Sequence, residues 1–590
     1  MKFTSLFYLL LVLVSFGCIP KNKLVNDTIN LKVRGWNILS NNIEKGELAI
    51  DSSQYYNINH LQLSHQLIMN LKDVRDKKKL NMTRKLVQKA QHSGIENILV
   101  WDHALYNLNY YPDQFKNDKG LINLDDPEFW IWFKNDYRSM LDSLPGVNGI
   151  VLTFIETGAH VEDQYSLKWK TKSEKLSNLV DSVAGVVIDE RNMQLYIRTF
   201  IYNQHELNTL LEVVNMVKNP KVKIMTKEVP HDFFLTHPVS SFIEKIQKDV
   251  IIEFDLGHEY NGQGIIASIL PEITIERWKY YSSKKNVIGY VARTDRFNDT
   301  QNIGRPTEIN IYALKRITED TTLTAEKIVE DYIALKYGKK LVPYLKDVFL
   351  ETDDIITSVY YTLGLHTNYH SALDFEYQEC YSRHCSGNWL KKPIVNIKHN
   401  VNKTFNYWTD IIEHLSPARY KSKKINNGKP SILYNESPWI IDNGLVTPYE
   451  KMNMEYLGYI IKEKKFGLEK ANWAVDKIKS AKLLFTSESD YNELLSLYER
   501  TALTAELYYY ASSAYFGYRC YINEENNKTL NSIIKEGLDG IKSTCRIMKD
   551  YPKKGPHGQF NWIKDTDRAN RLYNNIVNGW GVYDSKEFGL

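Results

Sequence analysis

The stretch IIEFDLGHEYNGQG, from Ile251 to Gly264, changes halfway along from apolar residues to polar residues and glycines. Its first part is almost continuously apolar, as in a strand that is buried on both faces of a parallel sheet. Its second part brings two polar aromatic rings, an acid and an amide into a glycine-rich turn. A buried strand that ends in this way is typical of a site built on the carboxyl ends of parallel strands.

Similar short apolar runs recur along the first half of the chain, each followed by a helical pattern such as the one that starts at Asp126-Pro127, an N-cap and a first helical residue. Eight strands that alternate with helices predict a (β/α)8 barrel. The alternative is an open doubly wound sheet, but LSNNIEKGELA after the first strand lacks the glycine-rich phosphate turn common there. The predicted strands are Val33–Ile38, Asn59–Ser64, Asn97–Trp101, Gly149–Phe154, Gln194–Phe200, Val222–Glu228, Val250–Leu256 and Val287–Arg293.

The predicted barrel spans residues 31–340, and a mainly α-helical C-terminal domain is predicted for 341–590. Long helical patterns dominate that domain, which we expect to close one side of the pocket or to form a homodimer. A proline- and asparagine-rich stretch, SKKINNGKPSILYNESPW, is expected to be a loop. The helical patterns cover Leu341–Leu363, Pro448–Phe485, Asp490–Tyr521 and Lys528–Tyr551.

The N-terminus predicts export. A basic start precedes an apolar run, Phe3 to Gly17, that is shorter than the about 20 residues of a membrane span. Cys18 follows directly, so we expect a lipoprotein signal peptide at 1–17, lipidation of Cys18 and a linker at 18–30; the alternative is an ordinary signal peptide. The expected location is the outer membrane or periplasm of a Gram-negative bacterium, with lipid as the only membrane attachment.

The composition limits the classes of partner that the sequence predicts. A net charge of +4 with mixed signs gives no electrostatic case for nucleic acid. An aromatic content of 12% suits stacking on sugar rings, although it also suits ordinary cores. Cys380, Cys385, Cys520 and Cys545 permit two disulfides in an oxidising compartment or four buried thiols, and their spacing is not a convincing zinc pattern.

Polar side chains follow nearly every predicted strand, as a barrel with a site at its C-terminal end requires. Acids surrounded by arginines and aromatics suit glycoside hydrolysis, in which one carboxyl protonates the leaving oxygen and another activates water. We expect Trp101 and Tyr260 to stack on sugar or pack in the core. The polar set is Ser64, His65, Asp102, His103, Glu156, Arg198, Lys227, Glu228, His231, Asp232, Asp255, His258, Glu259, Arg293, Asp295 and Arg296.

Structural or metal-binding roles compete with catalysis for some of these residues. Glu253 lies within its strand, where an ion pair with a barrel arginine is favoured, and Asp255 fits either role. The histidines after the strands (His65, His103, His231 and His258) could ligate a metal with Asp102 or Asp232, but the chain has no H-E-x-x-H motif. Hydrogen bonding to sugar hydroxyls is the plainer role, and we predict no metal.

Two segments resemble the barrel of the family 67 α-glucuronidases. They are residues 94–160, which include LDDPEFWIWFKNDYRSMLDSLPGVNGIVLTFIETGAH, and residues 223–338, which include IEFDLGHEYNGQG and TDRFNDTQNIGRPTEINIYALKRI. The resemblance implies an inverting hydrolase that removes α-linked glucuronic acid from xylan-derived oligosaccharides without metal or cofactor. Because the segment before the predicted barrel is short, we expect the family's N-terminal β domain to be missing from this relative.

The resemblance also assigns roles. It places the general acid on Glu156, the base-assigned carboxyls on Asp232 (with Glu228 in reserve) and Glu259, and a basic sugar-binding residue on Arg198. Leu152 stands where the family has a lysine that binds the sugar's carboxylate, so the sugar stays open. Lys227, Arg293 and Arg296 are the candidate substitutes, with His103, His258, Tyr260 and Trp101 as further substrate-binding candidates.

A different class of function is a non-catalytic glycan-binding lipoprotein that hands oligosaccharides to a transporter. The signal, the aromatic content and the helical half suit it equally well. The acids after strands four, six and seven favour the hydrolase, because a binder needs no acid opposite a base.

Overall fold

The computed structural model describes most of the chain from residue 31 onward. The signal peptide, Cys18, the linker, Cys380, Cys385 and the predicted loop at 422–439 lie outside the described residues, as do Glu156 and His231. The described residues are 31–153, 157–199, 201, 204–230, 232–296, 300–362, 365–366, 368–373, 375, 453–523, 527–551 and 559–578.

Eight parallel strands form a closed barrel in sequence order, and β8 pairs back onto β1. The predicted barrel is therefore confirmed, and each predicted strand is found, with ends that shift by a residue or two. The strands are β1 (Val33–Ile38), β2 (His60–Leu63), β3 (Asn97–His103), β4 (Gly149–Thr153), β5 (Gln194–Thr199), β6 (Lys223–Lys227), β7 (Val250–Phe254) and β8 (Val287–Arg293).

Helices follow the strands and continue beyond the barrel. As predicted, Asp126 caps α3 by accepting from the Glu128 amide, with Pro127 at the first helical position. The α-helices are α1 (Ile43–Ser52), α2 (Lys77–His92), α3 (Pro127–Asp142), α4 (Lys172–Ala184), α5 (Gln204–Met216), α6 (Pro271–Ser282), α7 (Ile309–Glu319), α8 (Ala325–Lys336), α9 (Val342–Leu350), α10 (Thr352–Tyr360), α11 (Met454–Ser480), α12 (Glu488–Asn523), α13 (Lys528–Asp550) and α14 (Gln559–Val577).

Side chains alternate between the barrel interior and the layer under the helices, as strand geometry requires. Trp101, Val151 and Tyr196 belong to a compact interior core, so the residues two positions further along β3, β4 and β5 face inward at the C-terminal end. Asp102 and Leu152 fall on the opposite face, and Leu152 packs in the core beneath the helices. The inward residues near the strand ends line the candidate site.

The C-terminal helices pack directly on the barrel's last helices. The ring of Tyr337, just after α8, lies 6.2 Å from Phe349 on α9 and 5.9 Å from Phe485, which precedes α12. Buried Lys464 on α11 donates to the carbonyls of Ser358 and Tyr361, where its charge satisfies the C-terminus of α10.

Two short hairpins leave the end of α10 and return toward the barrel. Strands β9 (Tyr361–Thr362) and β10 (Leu365–His366) form the first, and β11 (Asn368–Tyr369) and β12 (Ala372–Leu373) form the second. The sequence patterns did not predict them, because each strand is only two residues long.

Two of the four cysteines considered for disulfides lie among the described residues. Cys520 on α12 and Cys545 on α13 are buried and are not joined to each other by a disulfide.

Within the described ranges, no helix combines the length and the apolar character needed to span a bilayer.

Gly289 should be essential for closing the barrel. A Cβ at this position would lie 1.8 Å from the carbonyl oxygen of Val33, at an irregularity in the pairing of β7 with β8. We expect Gly289→Ala to destabilise the fold by about 3 kcal/mol or more, because the clash is with backbone. The matched control is Gly458→Ala on α11, where no atom lies within 4 Å of an added Cβ.

Thermal unfolding of the two glycine variants checks this prediction. Gly458→Ala should leave the melting temperature unchanged or raise it slightly, since alanine favours helix by up to about 1 kcal/mol. Equal melting temperatures for both variants would contradict the packing argument.

Candidate functional site

A buried carboxylate on β7 is shared by two arginines at the C-terminal end of the barrel. Glu253 Oε2 accepts from Arg198 Nε on β5 at 2.7 Å, and its Oε1 accepts from Arg293 Nε on β8 at 2.8 Å. Burial alone would raise the pKa of Glu253, but the two guanidinium groups lower it to about 2. The predicted structural pairing of Glu253 with a barrel arginine is confirmed.

Glu259, in the turn after β7, is held by three cationic or polar groups. Its Oε2 accepts from Arg293 Nη1 at 2.8 Å, and its Oε1 lies 2.7 Å from Arg296 Nη2 and 3.0 Å from His370 Nδ1. Burial opposes ionisation, yet Arg296, His370 and Arg293 hold the pKa of Glu259 well below its usual range. Glu259 is therefore a carboxylate across the ordinary pH range.

His370 is the contact that sequence reasoning missed. It lies at the tip of the β11–β12 hairpin with a φ of 54°, and its ring centroid is 5.3 Å from that of Tyr260. In the sequence His370 lies beyond the barrel, after helix α10, and no motif there indicates its contact with Glu259. A side chain of the predicted C-terminal domain thus reaches the strand ends.

The hairpin also fixes the backbone around Glu259. Ser371 Oγ donates to the Glu259 carbonyl at 2.8 Å and accepts from the Gly262 amide at 2.8 Å. From the barrel side, Asp255 Oδ2 accepts from the Glu259 amide at 2.7 Å. Gly262 and Gly264 have φ values of 110° and 69°, which explains the glycines of the turn.

The C-terminal helices hold the remainder of this loop. Tyr361 Oη donates to Asn261 Oδ1 at 2.8 Å, and Thr501 Oγ1 on α12 accepts from the Ala267 amide at 2.9 Å. Arg500 Nε donates to the Ile265 carbonyl at 2.7 Å. The loop that carries Glu259 is therefore clamped from both sides.

A second ion pair follows β6. Lys227 Nζ lies 2.6 Å from Asp232 Oδ1, and both are buried. The Phe233 ring separates this pair from the Glu253 network, with Lys227 Nζ 4.8 Å and the Arg293 guanidinium 4.6 Å from its centroid. The Phe233 ring thus lies between the Lys227 and Arg293 cations.

Trp101 forms the apolar floor on the other side. The Arg198 guanidinium lies 4.6 Å from the centroid of the Trp101 ring, and Trp101 Nε1 donates to Gln62 at 2.9 Å. His103 lies beside it and donates from Nδ1 to the Met69 carbonyl at 2.6 Å. Burial lowers the pKa of His103 to about 4, so its imidazole is neutral.

Several strand-end residues are placed elsewhere. Asp102 faces the helix layer and accepts from Tyr106 and Tyr137, Asp295 accepts from the Leu39 and Ser40 amides, and Glu228 pairs with Arg277. His258 is buried, and this burial lowers its pKa to about 3. By contrast, two strand-end residues lie at the site itself: His65 packs against Trp101, and Tyr260 packs against Phe234 and His370.

The pKa of Asp255 is raised, whereas those of Glu253 and Glu259 are lowered. Burial raises its pKa to about 7, although Arg293 acts in the opposite direction.

Among the residues that the structure describes, no group of three or more histidines, cysteines or acids is arranged to hold a metal ion.

Comparison with solved structures supports the fold. A glycoside hydrolase family 138 enzyme that targets pectin rhamnogalacturonan II aligns with a TM-score of 0.55 and 11% identity, over 95% of this chain and 70% of that one. At that identity the likeness shows the fold, a (β/α)8 barrel with a helical region after it.

Two weaker alignments are also to glycoside hydrolases. One is a family 115 4-O-methyl-α-glucuronidase with specificity for decorated arabinogalactans, with a TM-score of 0.48 and 9% identity over 92% of this chain and 62% of that one. The other is a mutant Thermobaculum terrenum O-GlcNAc hydrolase, with a TM-score of 0.42 and 10% identity over 93% and 96%. No family model and no curated protein matches the sequence.

Removing the shared carboxylate should destabilise the barrel. Glu253→Gln leaves the buried Arg198 guanidinium without its counter-charge and leaves Arg293 paired with Glu259 alone, and we expect a loss of about 3–5 kcal/mol at neutral pH. Because the pKa of Glu253 is about 2 when folded and about 4.3 in an unfolded chain, its contribution is full above that unfolded value and disappears as pH falls through the folded one. The difference between wild type and variant should therefore shrink toward pH 2.

Urea unfolding at several pH values measures that difference. The control is Glu319→Gln, which removes the surface ion pair with Lys315 and should change stability little at any pH. A Glu253→Gln penalty that stays constant down to pH 2 would show that lost packing, rather than charge, is responsible.

Ser371→Ala should loosen the loop that carries Glu259. The variant removes a hydrogen bond to the Glu259 carbonyl and leaves the Gly262 amide unpaired. We expect amide hydrogen exchange over residues 257–264 to rise about tenfold, which corresponds to about 1.4 kcal/mol. Ser480→Ala, on an exposed helix end, is the control; unchanged exchange in Ser371→Ala would refute the clamping role of the hairpin.

Proposed function

We propose that this protein is an exo-acting glycoside hydrolase that removes a terminal or side-chain acidic sugar from polysaccharide-derived oligosaccharides with inversion. The resemblance to family 67 α-glucuronidases and the shared fold with a family 138 enzyme support this class. The proposal includes export and lipid attachment through Cys18.

The burial and hydrogen bonding of Arg198 support an acidic sugar as the substrate. Its side chain is only 2% exposed, and within the described residues its Nε–Glu253 contact is its one hydrogen bond. A buried guanidinium with unused donors is costly unless a ligand supplies oxygens. Its planar fork over Trp101 suits a carboxylate in a bidentate arrangement.

Charge around Arg198 agrees with an anionic substrate. Arg198, Lys227, Arg293 and Arg296 are cations at the strand ends, and they face the carboxyl groups of Glu253, Glu259 and Asp232. Leu152, at the position of the family's carboxylate-binding lysine, packs in the core beneath the helices. The carboxylate of the sugar is therefore assigned to Arg198 rather than to β4.

The three candidate acids take different roles. Glu156, just beyond β4, serves as the general acid. Asp232 serves as the base that accepts a proton from water. Glu259 positions that water, because a carboxylate whose pKa is held well below its usual range is a weak proton acceptor.

In the reaction, the Glu156 carboxyl gives its proton to the glycosidic oxygen as the bond from that oxygen to the anomeric carbon breaks. Water attacks the anomeric carbon from the opposite face and passes a proton to Asp232. The products are the inverted free sugar and the shortened oligosaccharide. Solvent then returns a proton to Glu156 and removes one from Asp232.

A glycan-binding protein is the second candidate, and the ion pairing favours it. Among the described residues, the carboxylates of Glu228, Glu253, Glu259 and Asp232 all have cationic partners. Paired carboxylates can order a sugar without chemistry. The two candidates differ in whether replacing Glu156 abolishes turnover or changes only affinity.

Product release from an oligosaccharide panel tests the proposal. The panel contains glucuronoxylan, ulvan-type, pectin-derived and neutral α-linked oligosaccharides. We expect wild type to release one acidic monosaccharide, and Glu156→Gln to lose at least about a hundredfold in kcat. Glu128→Gln, exposed on α3, is the control and should match wild type.

An activated substrate separates acid from base. The nitrophenyl glycoside of the released sugar needs little protonation of its leaving group, so Glu156→Gln should recover most of its turnover there, while Asp232→Asn should not. Failure of wild type to release sugar from any substrate, with glycan binding intact in both proteins, would leave the binding protein as the function.

A further inference from the structure

Three neutral side chains on β1, β3 and β4 have buried polar atoms without a partner. Among the described residues, Asn37 Nδ2, His103 Nε2 and Thr153 Oγ1 make no hydrogen bond. The three residues are 0%, 2% and 0% exposed. Buried polar groups are almost always paired, so these three atoms are available to hydrogen-bond a ligand at the strand ends.

The strand register brings these side chains to one side of the barrel end. His103 pairs with Thr153, and since Leu152 pairs with Ile197, Thr153 lies beside Arg198. His103 and Thr153 follow the interior residues Trp101 and Val151 at a spacing of two, so they face inward.

Asn37 faces the same interior from β1. Its strand pairs it with Arg293 on β8 and with Gln62 on β2, and Gln62 accepts from Trp101. The unpaired atoms thus lie around the Trp101 floor, next to the arginines that the proposed function uses.

The remaining contacts of each side chain define what it offers. Asn37 Oδ1 accepts from Ser64 Oγ at 2.8 Å, which leaves its Nδ2 as a donor. The His103 Nδ1–H donates to the Met69 carbonyl, so the Nε2 of the neutral ring is an acceptor. Thr153 can donate or accept.

We propose that Asn37, His103 and Thr153 form a subsite that requires unsubstituted sugar hydroxyl groups on the substrate's terminal acidic pyranose. This inference rests on the proposed function for the acidic sugar. A hydroxyl group satisfies both a donor and an acceptor, whereas a methyl ether, an ester or a deoxy position cannot donate to His103 Nε2. Sugars substituted at that edge are therefore rejected.

The test measures dissociation constants for glucuronic acid, galacturonic acid and their mono-O-methyl derivatives by calorimetry. Thr153→Val keeps the branched shape and removes the hydroxyl, and His103→Gln alters the acceptor. Thr226→Val is the matched control, because Thr226 on β6 is equally buried but faces the helix layer. All variants are prepared in the full chain.

We expect wild type to bind one parent acid and to bind at least one of its O-methyl derivatives at least tenfold more weakly. Thr153→Val should lose at least tenfold for the parent acid and little for the derivative methylated at the hydroxyl it contacts. Thr226→Val should match wild type. If His103→Gln does not fold, Thr153→Val alone decides.

Three results would overturn the subsite: equal losses across all derivatives, no loss in Thr153→Val, or no binding of either acid by wild type. Discrimination lost with product release intact would remove the subsite and leave the hydrolase. Hydroxyl discrimination retained in a chain that releases no sugar would support the subsite and remove the hydrolase.

Discussion

The strand-end geometry depends on one interaction, in which the Glu253 carboxylate accepts hydrogen bonds from two guanidinium groups. It joins β5, β7 and β8, and it fixes Arg293 so that another of its nitrogens reaches Glu259. Taking three charges out of water costs several kcal/mol for each, and well-packed apolar residues often do as well for stability. We therefore attribute the network to the placement of Arg198 and Arg293 rather than to the strength of the barrel.

That network divides the barrel end into two unlike sides. On the β5–β8 side Glu253 and Glu259 both have cationic partners, so these charges are already oriented before a ligand arrives. On the β1–β4 side the polar groups are neutral and several are unpaired. Fixed charges cost no reorganisation when new charge develops, whereas unpaired neutral groups gain most from a ligand that completes their hydrogen bonds.

The sequence predicted the strands because their apolar runs are long and regularly spaced, and it predicted the pairing of Glu253 because an acid within a buried strand needs a cation. The sequence did not predict which face of the barrel each strand-end acid takes. Asp102 belongs to the helix layer, because it alternates with the inward-facing Trp101 along β3. His258 has a φ of 52°, a backbone conformation that a strand pattern cannot indicate. His370 is distant in sequence and lies on a hairpin too short to predict.

His370 also changes the role of the helical region. Lys464 holds the end of α10, Tyr361 follows directly and bonds Asn261, and Ser371 and His370 then reach the backbone and carboxylate of Glu259. These contacts run continuously from a helix of the predicted C-terminal domain to the turn after β7. Because the turn is rich in glycine, its backbone has little preference of its own for the observed conformation. The helices thus supply the order that the turn lacks, and the site belongs to both parts of the chain.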